Sequence, residues 1–320
     1  MKQSGLISSN LVLRGMLLAL SCILLTNCRS LASAEAPQQA LRLTIQIDTT
    51  EFFEGQPVFF VMELANVGLD TTWVAPFRIA TGDLHMSLVR SDGSVVPKRQ
   101  TIVDEVVTGP WRGWPLPPGA SLYETGDLQV AWGDNGPLNR TLFALNLAPG
   151  SYELQASFNP NASAEASVAL ITAVPVAFQV RSRTLTEETR YQEVVQLASM
   201  LRGPTQRSGF LTAMLDWVQP KIGTSEVDPL AAFLITSGLY VGGGAGLAPG
   251  PALEERIRTL QAIGARAQAT RPMGAVLAIE AVKSAQRGSH SSWILEFLDA
   301  LTGSLAGAVA SEFASSQGRR

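Results

Sequence analysis

The stretch Val58-Phe-Phe-Val-Met-Glu-Leu-Ala-Asn66 decides the fold. Successive side chains of an extended strand point to opposite faces, so Phe59 and Val61 project one way while Phe60, Met62 and Leu64 project the other. Both faces are apolar over its first half, which places the strand near the centre of a sheet. Outward from it the pattern becomes one-sided. Leu41, Leu43, Ile45 and Ile47 alternate with Arg42, Thr44 and Gln46, as in a half-buried strand. The same alternation returns at Leu84, Met86 and Leu88, at Tyr152, Leu154, Ala156 and Phe158, and at Val176, Phe178 and Val180.

Turn signals separate these runs: Glu54-Gly55, Asn66-Val67-Gly68, Asp92-Gly93, Pro118-Gly119, Asn135-Gly136 and Pro149-Gly150. Short strands with frequent turns and no helical period between them read as an antiparallel β-sandwich. The run from Gly55 to Gly68, followed much later by Leu147-Ala-Pro-Gly-Ser-Tyr-Glu-Leu154, resembles the early and late strands of bacterial immunoglobulin-like (Ig-like) modules of exported proteins. That resemblance implies the sandwich architecture and carries no functional residue with it. The Cys, Trp, Cys signature of antibody domains is absent.

At Thr184 the period changes to that of helices. Thr186 is placed to cap a helix with Glu187 and Glu188 in its first turn and Tyr191, Val194, Val195, Ala198 and Leu201 on one face. Further helices are expected from Phe210 to Gln219, Pro229 to Tyr240 with Asp228 as cap, Pro251 to Ala269, Pro272 to Gln286, and Ser292 to about Phe313. The expected fold class is therefore α+β in two segregated domains. An Ig-like antiparallel sandwich spans 38–182, and an all-α bundle of about six helices spans 184–320.

Residues 1–34 carry Lys2 and Arg14, an apolar run from Met16 to Leu25, and small residues ending in Ala32-Ser33-Ala34, the order of a secretory signal peptide. Cleavage after Ala34 gives a secreted or periplasmic protein. Lipidation at Cys28 is the alternative and would hold it in the cell envelope by a lipid anchor. Of the 24 Lys and Arg, three (Lys2, Arg14 and Arg29) precede Glu35, leaving 21 against 27 Asp and Glu, a net charge of −6. With no basic cluster to neutralise phosphates, nucleic acid is not an expected partner. Both cysteines, Cys22 and Cys28, fall before Ala34, so a chain cut there has no thiol and no disulfide.

No motif for a cofactor, metal or nucleophile is recognisable, and the expected cofactor set is none. His85 and His290 are the only histidines, and zinc needs three or four ligands. No Gly-x-Ser-x-Gly elbow is present. Val241-Gly-Gly-Gly-Ala-Gly-Leu-Ala-Pro-Gly250 lacks the lysine and Ser/Thr of a phosphate loop and follows a helix. It reads as a helix connection. The charge-free stretch from Pro229 to Pro251 reads as a buried helix plus loop in preference to a membrane span. Asp134-Asn135-Gly136 reads as a turn, without the spaced oxygens of a calcium loop.

The polar-apolar loop Pro110-Trp-Arg-Gly-Trp-Pro-Leu-Pro-Pro-Gly119 offers Trp111 and Trp114, with Trp132 nearby, as ligand-binding candidates. Indole faces stack on sugar rings or apolar peptides. They also fold back over the open end of a sandwich or against a second domain. Asp104, Glu105 and Asn135 are the polar residues close to them in sequence. Together these features point to a non-catalytic exported protein acting as a binding or scaffolding module, with an unknown protein or glycan partner. A carbohydrate-binding module using the loop tryptophans and an envelope hydrolase with a site at the domain junction are the alternatives.

Overall fold

The computed structural model describes residues 40–79, 83–97, 113–128, 147–160, 170–199, 207–237 and 250–317. Strands fill the first half and helices the second. β1 (Leu41–Ile47), β3 (Phe59–Asn66) and β7 (Ser121–Asp127) form one sheet in the order β1-β3-β7. A second sheet has the order β2-β10-β8-β5 from β2 (Glu51–Phe53), β10 (Val176–Arg181), β8 (Gly150–Phe158) and β5 (Leu84–Arg90). β9 (Ile171–Thr172) also pairs with β8. A two-stranded ribbon joins β4 (Thr72–Val74) to β6 (Trp114–Leu116). Pairing is antiparallel throughout except between β2 and β10, which run parallel, whereas the sequence suggested an all-antiparallel sandwich. After β1 the chain crosses to the other sheet. There Gln179 N–H donates to Thr50 C=O at 2.8 Å and Glu54 N–H to Arg181 C=O at 2.8 Å, stitching the new edge.

The centre of the sandwich is built from the inward half of each alternation. Leu41, Leu43 and Ile45 of β1 and Phe60, Met62 and Leu64 of β3 meet Leu84, Met86 and Leu88 of β5 and Leu154, Ala156 and Phe158 of β8. Buried Asn66 closes one end: its Nδ2 donates to the carbonyls of Leu116 and Asp70, and its Oδ1 accepts from Gly68 N–H. Tyr152 donates its hydroxyl to Ala148 C=O at 2.7 Å, fixing the entry to β8.

Seven α-helices follow among the described residues: α1 (Leu185–Ser199), α2 (Arg207–Val218), α3 (Pro229–Ser237), α4 (Pro251–Ala267), α5 (Pro272–Arg287), α6 (Ser291–Asp299) and α7 (Leu305–Gln317). Two readings of the sequence are corrected here. The cap of α1 is Thr184 and not Thr186: Glu187 N–H donates to Thr184 Oγ1 while the Glu187 carboxylate accepts from Thr184 N–H at 2.8 Å, a reciprocal capping box. The helix expected from Ser292 to Phe313 is two helices. One ends at Asp299 with Ala300 as its C-cap, Gly303 takes φ +80° in the turn that follows, and Ser304 Oγ accepts Gly307 N–H to open the next. Asp228 caps α3 as expected, accepting Leu230 N–H at 2.8 Å.

The double-sided pattern of β3 has its explanation in these helices. Phe59 packs into the core formed by α1 to α7, and Val61 packs on Ala275 and Ile279 of α5 and Val309 of α7. The helices therefore cover the outer face of the β1-β3-β7 sheet. Leu41–Arg320 forms one compact unit. Gly55, with φ +83°, lets α1 approach the turn before β3, since a Cβ there would lie 2.6 Å from the Tyr191 ring.

Candidate functional site

With one sheet covered by helices, the solvent face of the other is where an open site stands. Outward side chains of β5 and β8 pair across the ladder as His85 with Ser157 and Ser87 with Gln155, and Ser157 pairs in turn with Thr172 of β9. These residues line a cavity of about 500 Å³ together with the pleat at Met86 and Ala156 and an apolar flank of Leu170, Ala173 and Pro175. Ser87 Oγ donates to Gln155 Oε1 at 3.4 Å, and Gln155 Nε2 donates to Glu153 Oε1 at 2.6 Å, so the amide is held in place. His85 is exposed on the face opposite Leu84, where the strand alternation puts it. What the alternation could not show is that Ser157 and Thr172, more than 70 residues further on, stand beside it.

Trp114 is the one indole of the three named candidates among the described residues. It lies in β6 half-buried against the sandwich core, with the Arg78 guanidinium 5.9 Å from its ring centre. Glu124 of β7 completes that corner, accepting from Ile79 N–H. The indole that stands open is Trp73 on β4, 63% exposed and paired with Pro115. Trp111, Trp132, Asp104, Glu105, Asn135, the glycine-rich loop at 241–249, Cys22, Cys28 and Ala34 lie outside the described residues.

Where sheet and helices meet, two carboxyls are perturbed. Asp48, just past β1, accepts Met273 N–H at 2.9 Å and so caps α5 from the neighbouring layer. Burial pushes its pKa up to about 7 against the pull of that hydrogen bond and of Arg271, with Asp127 adding to the rise. Glu124 is likewise raised to about 7, chiefly by burial, with Ile79 N–H, Arg78 and Lys283 opposing and Glu312 assisting. Asp48 contacts α5 at Met273, while Lys283, the α5 charge that acts on Glu124, lies ten residues along, roughly 15 Å at 1.5 Å per residue. Neither histidine joins them: His85 is on the far sheet and His290 precedes α6. The junction holds a helix cap and a buried ionisable corner, and its two raised carboxyls act at separate points along α5.

A pH dependence follows. A carboxyl whose folded pKa exceeds its unfolded value gives stability that is complete below about pH 4 and lost as pH rises through about 7. Asp48→Asn keeps an oxygen for Met273 N–H and removes the ionisation. Its melting temperature should exceed that of the parent at pH 8 by a few degrees, with the gap narrowing at pH 5 and closing only near pH 4, as read by circular dichroism. A gap that does not change with pH would show that Asp48 ionises normally.

No helix among the described residues is long and apolar enough to cross a membrane. No family model and no curated protein matches the chain. Among solved structures it is similar to the native conformation of Escherichia coli alpha-2-macroglobulin, at 11% identity over 86% of this chain and 22% of that one, with a TM-score of 0.25. A Salmonella alpha-2-macroglobulin mutant is similar at 11% identity over 88% of this chain and 22% of that one, with a TM-score of 0.25. The chain spans about a fifth of the length of those proteins.

Proposed function

We propose that the chain is a non-catalytic exported protein that acts as a binding module through the solvent face of the β5-β8-β9 sheet. In this reading residues 1–34 are the signal, the strands form an Ig-like sandwich domain, and the helices form a bracing domain on its other side. The observation that supports it most is the asymmetry of the sandwich. One outer face is sealed by α5 and α7, and the other presents a cavity lined by neutral polar side chains. The Ig-like reading draws support from Tyr152, whose hydroxyl bonds back to the backbone four residues upstream, as the tyrosine corner of such sandwiches does. A rigid sheet presenting fixed side chains is suited to recognition.

A second reading, carbohydrate binding through loop tryptophans, draws on Trp73, which is open to solvent, more than on Trp114, whose ring lies half-buried beside Arg78. A binding screen of the secreted chain against immobilised glycans and envelope proteins separates the two. Ser157→Trp, which fills the cavity, should abolish the interaction, and Trp73→Ala with Trp114→Ala should leave it intact. The reverse pattern supports the tryptophan site. A screen in which no interaction depends on Ser157 sinks the proposed face.

A further inference from the structure

We infer that the row His85, Ser157 and Thr172 is a subsite for a neutral saccharide, an inference that rests on the binding face proposed above and names what it takes. The three side chains stand on adjacent strands at directly paired positions, so they form a line across the sheet at the strand spacing of about 4.8 Å. Ser87 and Gln155 in the next row are engaged with one another, and Gln155 also with Glu153. The imidazole of His85 and the hydroxyls of Ser157 and Thr172 make no side-chain hydrogen bond among the described residues. Each is therefore available to a ligand.

The chemistry of the lining narrows the class. None of the lining residues is Asp, Glu, Lys or Arg, so a charged ligand would lose hydration there without a compensating partner. A hydroxyl both donates and accepts, as does a neutral imidazole through its two nitrogens. A saccharide hydroxyl is donor and acceptor too, so a ring laid along the row can satisfy all three groups in either direction. Its C–H faces meet the apolar flank of Leu170, Ala173 and Pro175. A peptide fits less well. The site is on the face of the sheet, where the β5-β8 and β8-β9 ladders already use the backbone groups that strand addition would need. The cavity, about 500 Å³, falls in the range of about 300–1,000 Å³ usual for small-ligand sites. None of the lining residues is Phe, Tyr or Trp, so the affinity is weak, with Kd on the order of 1–10 mM for a short oligosaccharide.

The chain has only two histidines, which makes the test direct. Ring resonances of His85 and His290 are followed by NMR on the full secreted chain during titration with a neutral β-linked glucose tetrasaccharide and, separately, an N-acetylglucosamine tetrasaccharide. At least one should move the His85 signals saturably and leave those of His290 in place. Ser157→Ala and Thr172→Ala, both replacing solvent-facing hydroxyls, should each weaken binding about 5-fold. The inference is overturned if neither saccharide moves His85, or if the shift is indifferent to both substitutions. A shift produced instead by a neutral hexapeptide overturns the saccharide and leaves the binding face standing. Loss of that face itself is read separately, from Ser157→Trp in the screen above.

Discussion

Phe59→Ala should lower the free energy of unfolding by about 3–5 kcal/mol, the usual cost of deleting a buried phenyl ring and leaving the cavity behind. Phe59 is 1% exposed and sits among helical side chains, although it belongs to a strand. Its neighbour Phe60 is as deeply buried on the other face, in the sandwich core, and Phe60→Ala should cost a similar amount. The pair tests how the two layers depend on each other. Each ring lines a different core, yet both hang from one backbone segment that the β1 and β7 ladders hold on either side. Denaturant unfolding should then show one transition in both variants, with the helical circular dichroism changing together with the tryptophan fluorescence measured in a Trp217→Phe, Trp293→Phe background that removes the two indoles of the helical layer. Two separated transitions in Phe59→Ala, with helices lost first, would show that the helical layer is an independent domain resting on the sandwich.

Much of this architecture was legible because alternation is a strong signal. Leu41 to Ile47, Leu84 to Leu88 and Tyr152 to Phe158 each put one residue in two into the sandwich core, as a half-buried strand must. The two-sided β3 was equally visible, but its consequence was not. An apolar outer face says that something covers it, and only the packing of Ala275, Ile279 and Val309 says what. Errors arose where local chemistry competed with periodicity. The spacing of Ile294, Phe297, Leu298, Leu301, Leu305 and Val309 runs unbroken through Thr302-Gly303-Ser304, although α6 stops at Asp299, a glycine in the left-handed region turns the chain, and a capping serine begins α7. At Thr184 the reverse held: Thr-x-x-Glu is itself the signature of a capping box, and the nearer Thr186 obscured it. The candidate site was the least legible feature. A row formed by His85, Ser157 and Thr172 depends on cross-strand register, and register between distant strands leaves no local trace.

Gly274→Val should destabilise the protein by about 3 kcal/mol or more, and Gly274→Ala should destabilise it too, against the general rule that alanine improves a helix by about 0.5–1 kcal/mol over glycine. The sign reverses because of what the missing side chain lets approach. A Cβ at Gly274 would lie 2.0 Å from the carbonyl oxygen of Gln268 and 2.5 Å from its carbon, and both atoms are backbone, so no rotamer change relieves the clash. The turn that would have to move is held from several sides. Gln268 C=O accepts Arg271 N–H, Ala269 C=O accepts Ala306 N–H from the start of α7, and Met273 N–H reaches Asp48 beyond β1. Displacing it loosens α4, α5 and α7 at once and detaches the cap that ties the helices to the sheet. Gly209 in α2 supplies the contrast, since nothing among the described residues lies within 4 Å of a Cβ built there. Gly209→Ala should be neutral or stabilising by up to about 1 kcal/mol. Thermal unfolding of the variants, followed by circular dichroism, should therefore move the midpoint in opposite directions for the same chemical change. If Gly274→Ala is as stable as the parent, the close approach of α5 to the Gln268 turn is not what orders this junction.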